Sequence, residues 1–227
     1  METKEFNFKG FRMSGFAALF LIIATMALAI WFIYRAVDIE VYRGLVAGIV
    51  LIVLALVACG GFVMNEPGEA RVMMFFGKYK GTFKEVGFHW VNPFINTKKL
   101  SLRARNLDAQ PIKVNDKIGN PVMIGLVVVW RLKDTYKAMF EIDSQTMAQS
   151  AASATIGTNV ASVMRAFERF VQIQSDAALR QVAGQYAYDN TNAHGTELTL
   201  RDGGDEINNQ LKEKLEERLA MAGIVIV

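Results

Sequence analysis

The sequence predicts an α+β protein, built as an N-terminal transmembrane helical hairpin followed by a mixed α/β domain with a small antiparallel sheet and packed helices. Three observations predict it. Phe16 to Tyr34 and Gly44 to Met64 contain no charged residue, so each run is long enough to cross a hydrocarbon core of about 30 Å as a helix. Beyond them, short β-prone runs are punctuated by glycine, proline and asparagine as far as Leu132. From Asp134 onward the residues switch to the composition and period of helices.

The two apolar runs raise the apolar fraction to 52%, high for a wholly soluble chain. A buried core helix of that length keeps a polar stripe, and neither run has one. The first run ends in Tyr34-Arg35-Ala36-Val37-Asp38, which lacks the small-x-small pattern of a cleaved signal peptide. Nine residues, Arg35 to Arg43, join the runs, so the helices run antiparallel. The division expected is a tail over 1–15, the hairpin over 16–64 and one domain over 65–227. Lys4, Lys9 and Arg12 precede the first run and Arg71, Lys78, Lys80 and Lys84 follow the second, against Arg35 and Arg43 between them. The positive-inside rule therefore places the large domain in the cytoplasm. Cys59, the single cysteine, lies in the second run and is expected to be a small packing residue with no redox role.

From Asn65 onward there are 20 Lys plus Arg against 18 Asp plus Glu, a balance that gives no electrostatic footprint for nucleic acid. Asn65-Glu66-Pro67-Gly68-Glu69 is a turn, since proline has no N–H and disfavours helix before it. Ala70 to Phe76 and Tyr79 to Phe83 read as strands around Gly77. Phe88 to Phe94 reads as a loop whose aromatics either pack on the sheet or enter the lipid interface. Lys99 to Arg105 and Ile112 to Val114 alternate as half-exposed strands do. Asn115 to Pro121 separates them from Val122 to Leu132 as a hairpin. Helices are expected over Asp134 to Phe140, Ser144 to Phe170 and Asp205 to Met221, with a polar excursion from Gly184 to Gly204. In the last helix Ile207, Leu211, Leu215 and Leu219 recur on one face, Gly223 ends it, and Ile224 to Val227 is a strand that predicts sequence beyond Val227.

No residue set assembles a catalytic centre. His89 and His194 are the only histidines and neither has metal-ligand spacing to a cysteine or a second histidine. Gly60-Gly61 and Gly203-Gly204 lack the lysine of a phosphate loop, and the serines between Ser144 and Ser162 lie in no nucleophile motif. No cofactor is indicated. Two surfaces are candidates instead. Lys78, Lys80 and Lys84 could meet anionic headgroups at about 1 kcal/mol each, against the ordinary reading of strand residues facing water. Leu211, Leu215 and Leu219 could form an oligomer interface, against the ordinary reading that they pack on their own domain.

Glu66-Pro67-Gly68-Glu69-Ala70-Arg71-Val72, then Phe76-Gly77-Lys78-Tyr79, then Gly87-Phe88-His89-Trp90-Val91-Asn92-Pro93-Phe94, taken in order, resemble the opening of the band 7 or SPFH domain of stomatins, prohibitins and flotillins. Val122 to Asp134 resembles its central strand and helix start, and Asp205 to Val225 its closing helix and strand, so the resemblance covers about 65–227. Two departures stand out: the polar segment from Gln172 to Gly204 is longer than the family's, and the long coiled coil that usually follows the final strand is absent. The resemblance is to a bacterial-type member. It implies an integral protein of a bacterial cytoplasmic membrane, acting as an oligomeric scaffold that organises a membrane patch and its resident proteins in large rings or cages. A regulatory subunit of a membrane-bound AAA protease is the alternative reading, and a membrane enzyme is a third, for which no nucleophile, base or metal set is present. The partners implied are the lipid bilayer, further copies of the chain and a membrane protease.

Overall fold

The computed structural model describes residues 5–39, 42–141, 160–189 and 198–227. They form two compact units, one over Phe6–Lys99 and one over Leu100–Val227 together with the N-terminal end at Glu5.

The first unit contains both apolar helices, α1 (Gly15–Ile39) and α2 (Tyr42–Cys59). At 1.5 Å per residue they measure about 37 and 27 Å, and both are long and apolar enough to cross a membrane. Helix α2 is shorter than the uncharged run predicted. The uncharged run extends to Met64, but the helix stops at Cys59 and Phe62–Asn65 is a strand, β2. An uncharged apolar stretch is compatible with either state, and a cross-strand partner decides for the strand. That partner is β5 (Gly87–Val91), which also pairs with β1 (Arg12–Ser14), giving a three-stranded antiparallel sheet of order β1-β5-β2.

A second sheet in this unit has order β4-β3-β6, from β3 (Glu69–Phe75), β4 (Lys78–Phe83) and β6 (Ile95–Ser101). The outer edge of β4 is occupied near Thr82, whose N–H donates to Phe6 O (2.8 Å) and whose carbonyl accepts from Phe8 N–H (3.0 Å). Phe8, Val63, Met73, Phe83 and Val91 form the core between these strands, with Ile95 against it. Arg71 joins them at the polar end: Nε donates to Asn65 Oδ1 (2.8 Å), Nη1 to Thr97 Oγ1 (3.2 Å) and Nη2 to Met64 O (2.9 Å).

In the second unit β7 (Arg105–Asn115) and β8 (Pro121–Leu132) make the long predicted hairpin, and β9 (Ile224–Ile226) pairs antiparallel with Trp130–Leu132. Asp116 shapes the hairpin turn by accepting from the N–H groups of Ile118 (2.9 Å) and Asn120 (2.7 Å). The short helix α3 (Thr135–Phe140) is capped by Asp134, which accepts from Tyr136 and Lys137 N–H, the side-chain bond that orphan donors at a helix start require. Helix α4 (Val160–Ala183) packs against β7 and against α5 (Gly204–Leu219), and α5 lies along β9. The helix expected over Ser144 to Phe170 is thus described only from Val160, and it continues past Phe170. Met164, Phe167, Val171, Ser175, Ala178, Leu179 and Val182 are buried in it, a spacing of three and four that keeps one face on the core. Part of the polar segment from Gln172 to Gly204 is therefore amphipathic helix, which ends at Ala183 where the expected excursion begins. A 3-10 turn, Ala220–Ala222, closes α5 before Gly223.

Candidate membrane interface

Burial within the hairpin follows one seam. Ala18, Ala29 and Ala36 of α1 and Gly48 and Ala55 of α2 are buried. Positions 18, 22, 25, 29, 33 and 36, and 44, 48, 51, 55 and 58, recurring at steps of three and four, are all buried or half-buried. Small residues let two helix backbones approach closely, which is how helices associate where water provides no hydrophobic drive. The other faces carry large apolar side chains in the open: Phe16, Phe20, Ile23, Ile30, Val46, Val53 and Leu56 are all more than half exposed. A core helix of a soluble protein buries such residues; here they form the surface on every side but the seam. The solvent that suits this surface is hydrocarbon.

Aromatic residues mark both ends of the span. Trp31, Tyr34 and Tyr42 are exposed toward the connecting end, where the Arg35 guanidinium lies 5.8 Å from the Trp31 ring centre. At the opposite end Phe88 stacks on Phe62 (5.2 Å, 9°) and meets Phe16 edge-on (5.4 Å), while Phe11 meets Trp90 edge-on (6.3 Å). Two such girdles, one at each polar boundary, are the distribution that bilayers select. The segment Phe88 to Phe94, read as a loop, is strand β5 followed by a turn in which Asn92 Oδ1 accepts from Phe94 N–H (3.0 Å). Phe88 packs on Phe62 of the sheet and on Phe16 of α1, and Phe94 is 61% exposed.

Strand β5 holds the hairpin at both ends. Met13, just before α1, is registered against Trp90, and Trp90 against Phe62, just after α2. Trp90 Nε1 donates to Ala58 O (2.8 Å), a helix-end carbonyl that has no partner within α2 and also accepts from Gly61 N–H (3.1 Å). Gly61 is required there, because a Cβ at that position would stand 2.2 Å from Val91 O and 2.7 Å from Trp90 Nε1. Arg12 and Glu85 form an exposed ion pair beside this sheet.

The basic residues that follow the hairpin divide into two sets. Arg71 is half-buried in the bonds described above; burial lowers its pKa and neighbouring Glu69 works the other way. Lys99 pairs with Glu69 at 2.6 Å. Lys78, Lys80 and Lys84 are exposed, with Lys78 and Lys80 on β4. The leucines of the other candidate surface are interior residues: Leu211, Leu215 and Leu219 are 5%, 2% and 0% exposed, so they pack on their own unit. His89 is held by Val86 O (3.2 Å) and lies edge-on to Phe83, and His194 lies outside the described residues. Cys59, expected to be a small packing residue, is exposed at the end of α2. Among the described residues no group of three His, Cys, Asp or Glu is placed to hold a metal ion. The feature that sequence reasoning missed is β1, a three-residue strand too short to show any period.

Residues 65–227 match the model of the SPFH domain / Band 7 family. An uncharacterized protein of Methanothermobacter thermautotrophicus is similar to the chain, 27% identical over 180 residues, which cover 79% of this chain and 46% of that protein. The chain thus spans about half the length of that relative.

Proposed function

The chain belongs to the SPFH domain / Band 7 family, whose members are generally membrane scaffolds or regulators, and from that membership we propose that it is a membrane-anchored scaffold that associates side by side with further copies and organises the surrounding bilayer and its resident proteins. The observation that carries this reading is the fixation of the hairpin by β5. A protein that assembles laterally on a membrane gains from having the strands nearest its anchor held at a set angle to it, and a strand hydrogen-bonded to the segments flanking both helices does that within the first unit where a single flexible linker would not. The charge distribution supports a cytoplasmic domain, with Lys9 and Arg12 before α1 and Lys78, Lys80 and Lys84 after α2. Particle size after mild detergent extraction tests the proposal. A large homomeric particle is expected, a single-copy particle refutes it, and a co-purifying protease replaces it with the regulatory reading. A cysteine in place of Ile118 in a Cys59→Ala background, labelled in intact cells by an impermeant maleimide, refutes the cytoplasmic orientation.

A further inference from the structure

The β3–β4 hairpin turns through two residues, Phe76 and Gly77, between the registered pair Phe75 and Lys78. Both have positive φ, 45° and 79°, as the turn that matches strand twist requires. Glycine takes that conformation without cost, and asparagine or aspartate is the usual residue at the first position. Phenylalanine is a poor local choice: Phe76 is the non-glycine residue with positive φ among the described residues, and its ring is 83% exposed. Within the chain its ring meets that of the adjacent Phe75 edge-on (4.8 Å), a contact that leaves most of the residue open. A bulky side chain kept in a backbone conformation it disfavours and left mostly open points to a contact outside the chain.

The neighbours identify the chemistry of that contact. Lys78 and Lys80 follow directly, both exposed, and Lys80 is the extra residue of the bulge opposite Met73 and Met74. A ring flanked by ammonium groups matches the bilayer boundary, where aromatics sit at headgroup level and lysines meet lipid phosphates. The tip also belongs to the unit that contains both membrane helices. Met73 packs with Val63 and Val91, and Val91 N–H donates to Gly61 O (2.9 Å), two residues beyond the end of α2. Phe76 is three residues further along the strand, about 10 Å.

We propose that Phe76, with Lys78 and Lys80, is an interfacial anchor that enters the headgroup region of an anionic bilayer, giving the first unit a third point of attachment besides its two helices. The inference rests on the membrane-anchored part of the proposed function and not on self-association. The test uses the full chain in lipid nanodiscs, with a nitroxide label on Phe76→Cys in a Cys59→Ala background. Accessibility to oxygen and to a water-soluble nickel chelate is read in phosphatidylcholine with and without phosphatidylglycerol. In the mixed bilayer the label should respond to oxygen more than to nickel, and Lys78→Glu with Lys80→Glu should invert that order. A label open to nickel in both bilayers overturns the anchor, and a label shielded from both reagents overturns it in favour of a second copy covering the tip. As an independent arm, Phe76→Asn should raise the denaturation midpoint, because asparagine suits the turn; a lowered midpoint would mean the ring serves the fold. A chain that stays single in the bilayer while its label answers to oxygen refutes the scaffold and leaves the anchor standing.

Discussion

Gly223→Ala tests how the closing helix is joined to the central strand. Gly223 lies at φ 65°, and its carbonyl accepts from the N–H groups of Lys133 (2.8 Å) and Asp134 (3.0 Å). One residue therefore stops the helix and fixes the entry to α3. An alanine there meets two costs. The left-handed conformation costs an L-residue about 1–2 kcal/mol. Its Cβ would also stand 2.4 Å from Asp134 O and 2.9 Å from Asp134 Cβ, and because the nearer atom is main chain the backbone must shift, at about 1–3 kcal/mol. The total is about 2–5 kcal/mol. Gly119→Ala isolates the first cost, since Gly119 has φ 99° with nothing within 4 Å of its Cβ position. Thermal unfolding in detergent, followed through the emission of Trp130, fully buried in the same unit, reads both. With about 2–4 °C per kcal/mol for a chain of this size, Gly223→Ala should lower Tm by on the order of 10 °C and Gly119→Ala by clearly less. Equal losses would refute the collision argument.

Three further outcomes follow from described contacts. Trp90→Phe removes the bond to Ala58 O and should cost about 1 kcal/mol, seen as faster amide exchange in the last turn of α2 with the rest of the helix unchanged. Gly48→Leu places a side chain where a Cβ would already be 2.4 Å from Ile33 Cγ1 and 3.0 Å from Ala29 O; the helices should part at the seam at a cost of about 1–3 kcal/mol, read as lost disulfide formation between cysteines introduced at Ala36 and Gly44, which face each other across the seam. For Asp116, partial burial opposes the charged form, but the N–H groups of Tyr188, Asn120 and Ile118 and the Asn120 amide outweigh it and hold the carboxyl below the usual range. Its stabilisation is complete above the unfolded-state value of about 4 and is lost as pH falls through the lower folded value; Asp116→Asn should flatten that acid limb of the unfolding profile, and an unchanged limb would show that other carboxylates set it.

Features that rest on local pattern were legible in the sequence. The two spans, the Val122 to Leu132 strand, the capped start at Asp134 and the leucine face of the last helix each repeat one period over several turns or residue pairs. What was illegible depends on partners distant in sequence. Phe62 to Met64 is as apolar as the span before it, and only pairing with Phe88 to Trp90 makes it a strand. Arg71 and Lys99 look like members of a basic surface until Asn65, Thr97 and Glu69 are placed beside them. Of the candidate site, the lysines could be named from charge alone. The anchoring role of Trp90 could not, because nothing in the local pattern of an indole tells that its N–H will meet a carbonyl 32 positions earlier in the chain. Phe76 was visible as part of a family motif, yet its backbone conformation has no signature in residue type; phenylalanine is a residue one would not choose for it.

The order β1-β5-β2 also imposes a sequence of events during synthesis. The middle strand is the last of the three to be made: Arg12–Ser14 and Phe62–Asn65 have both left the ribosome before Gly87–Val91 appears, one to several seconds later at about 5–20 residues per second. Its two neighbours come to lie on either side of it because the antiparallel hairpin of α1 and α2 returns the chain to the end from which it left. Completion of this sheet therefore requires that the hairpin has closed, and a chain whose second helix fails to return leaves Trp90 and Phe88 without Phe62 and Met64 beside them.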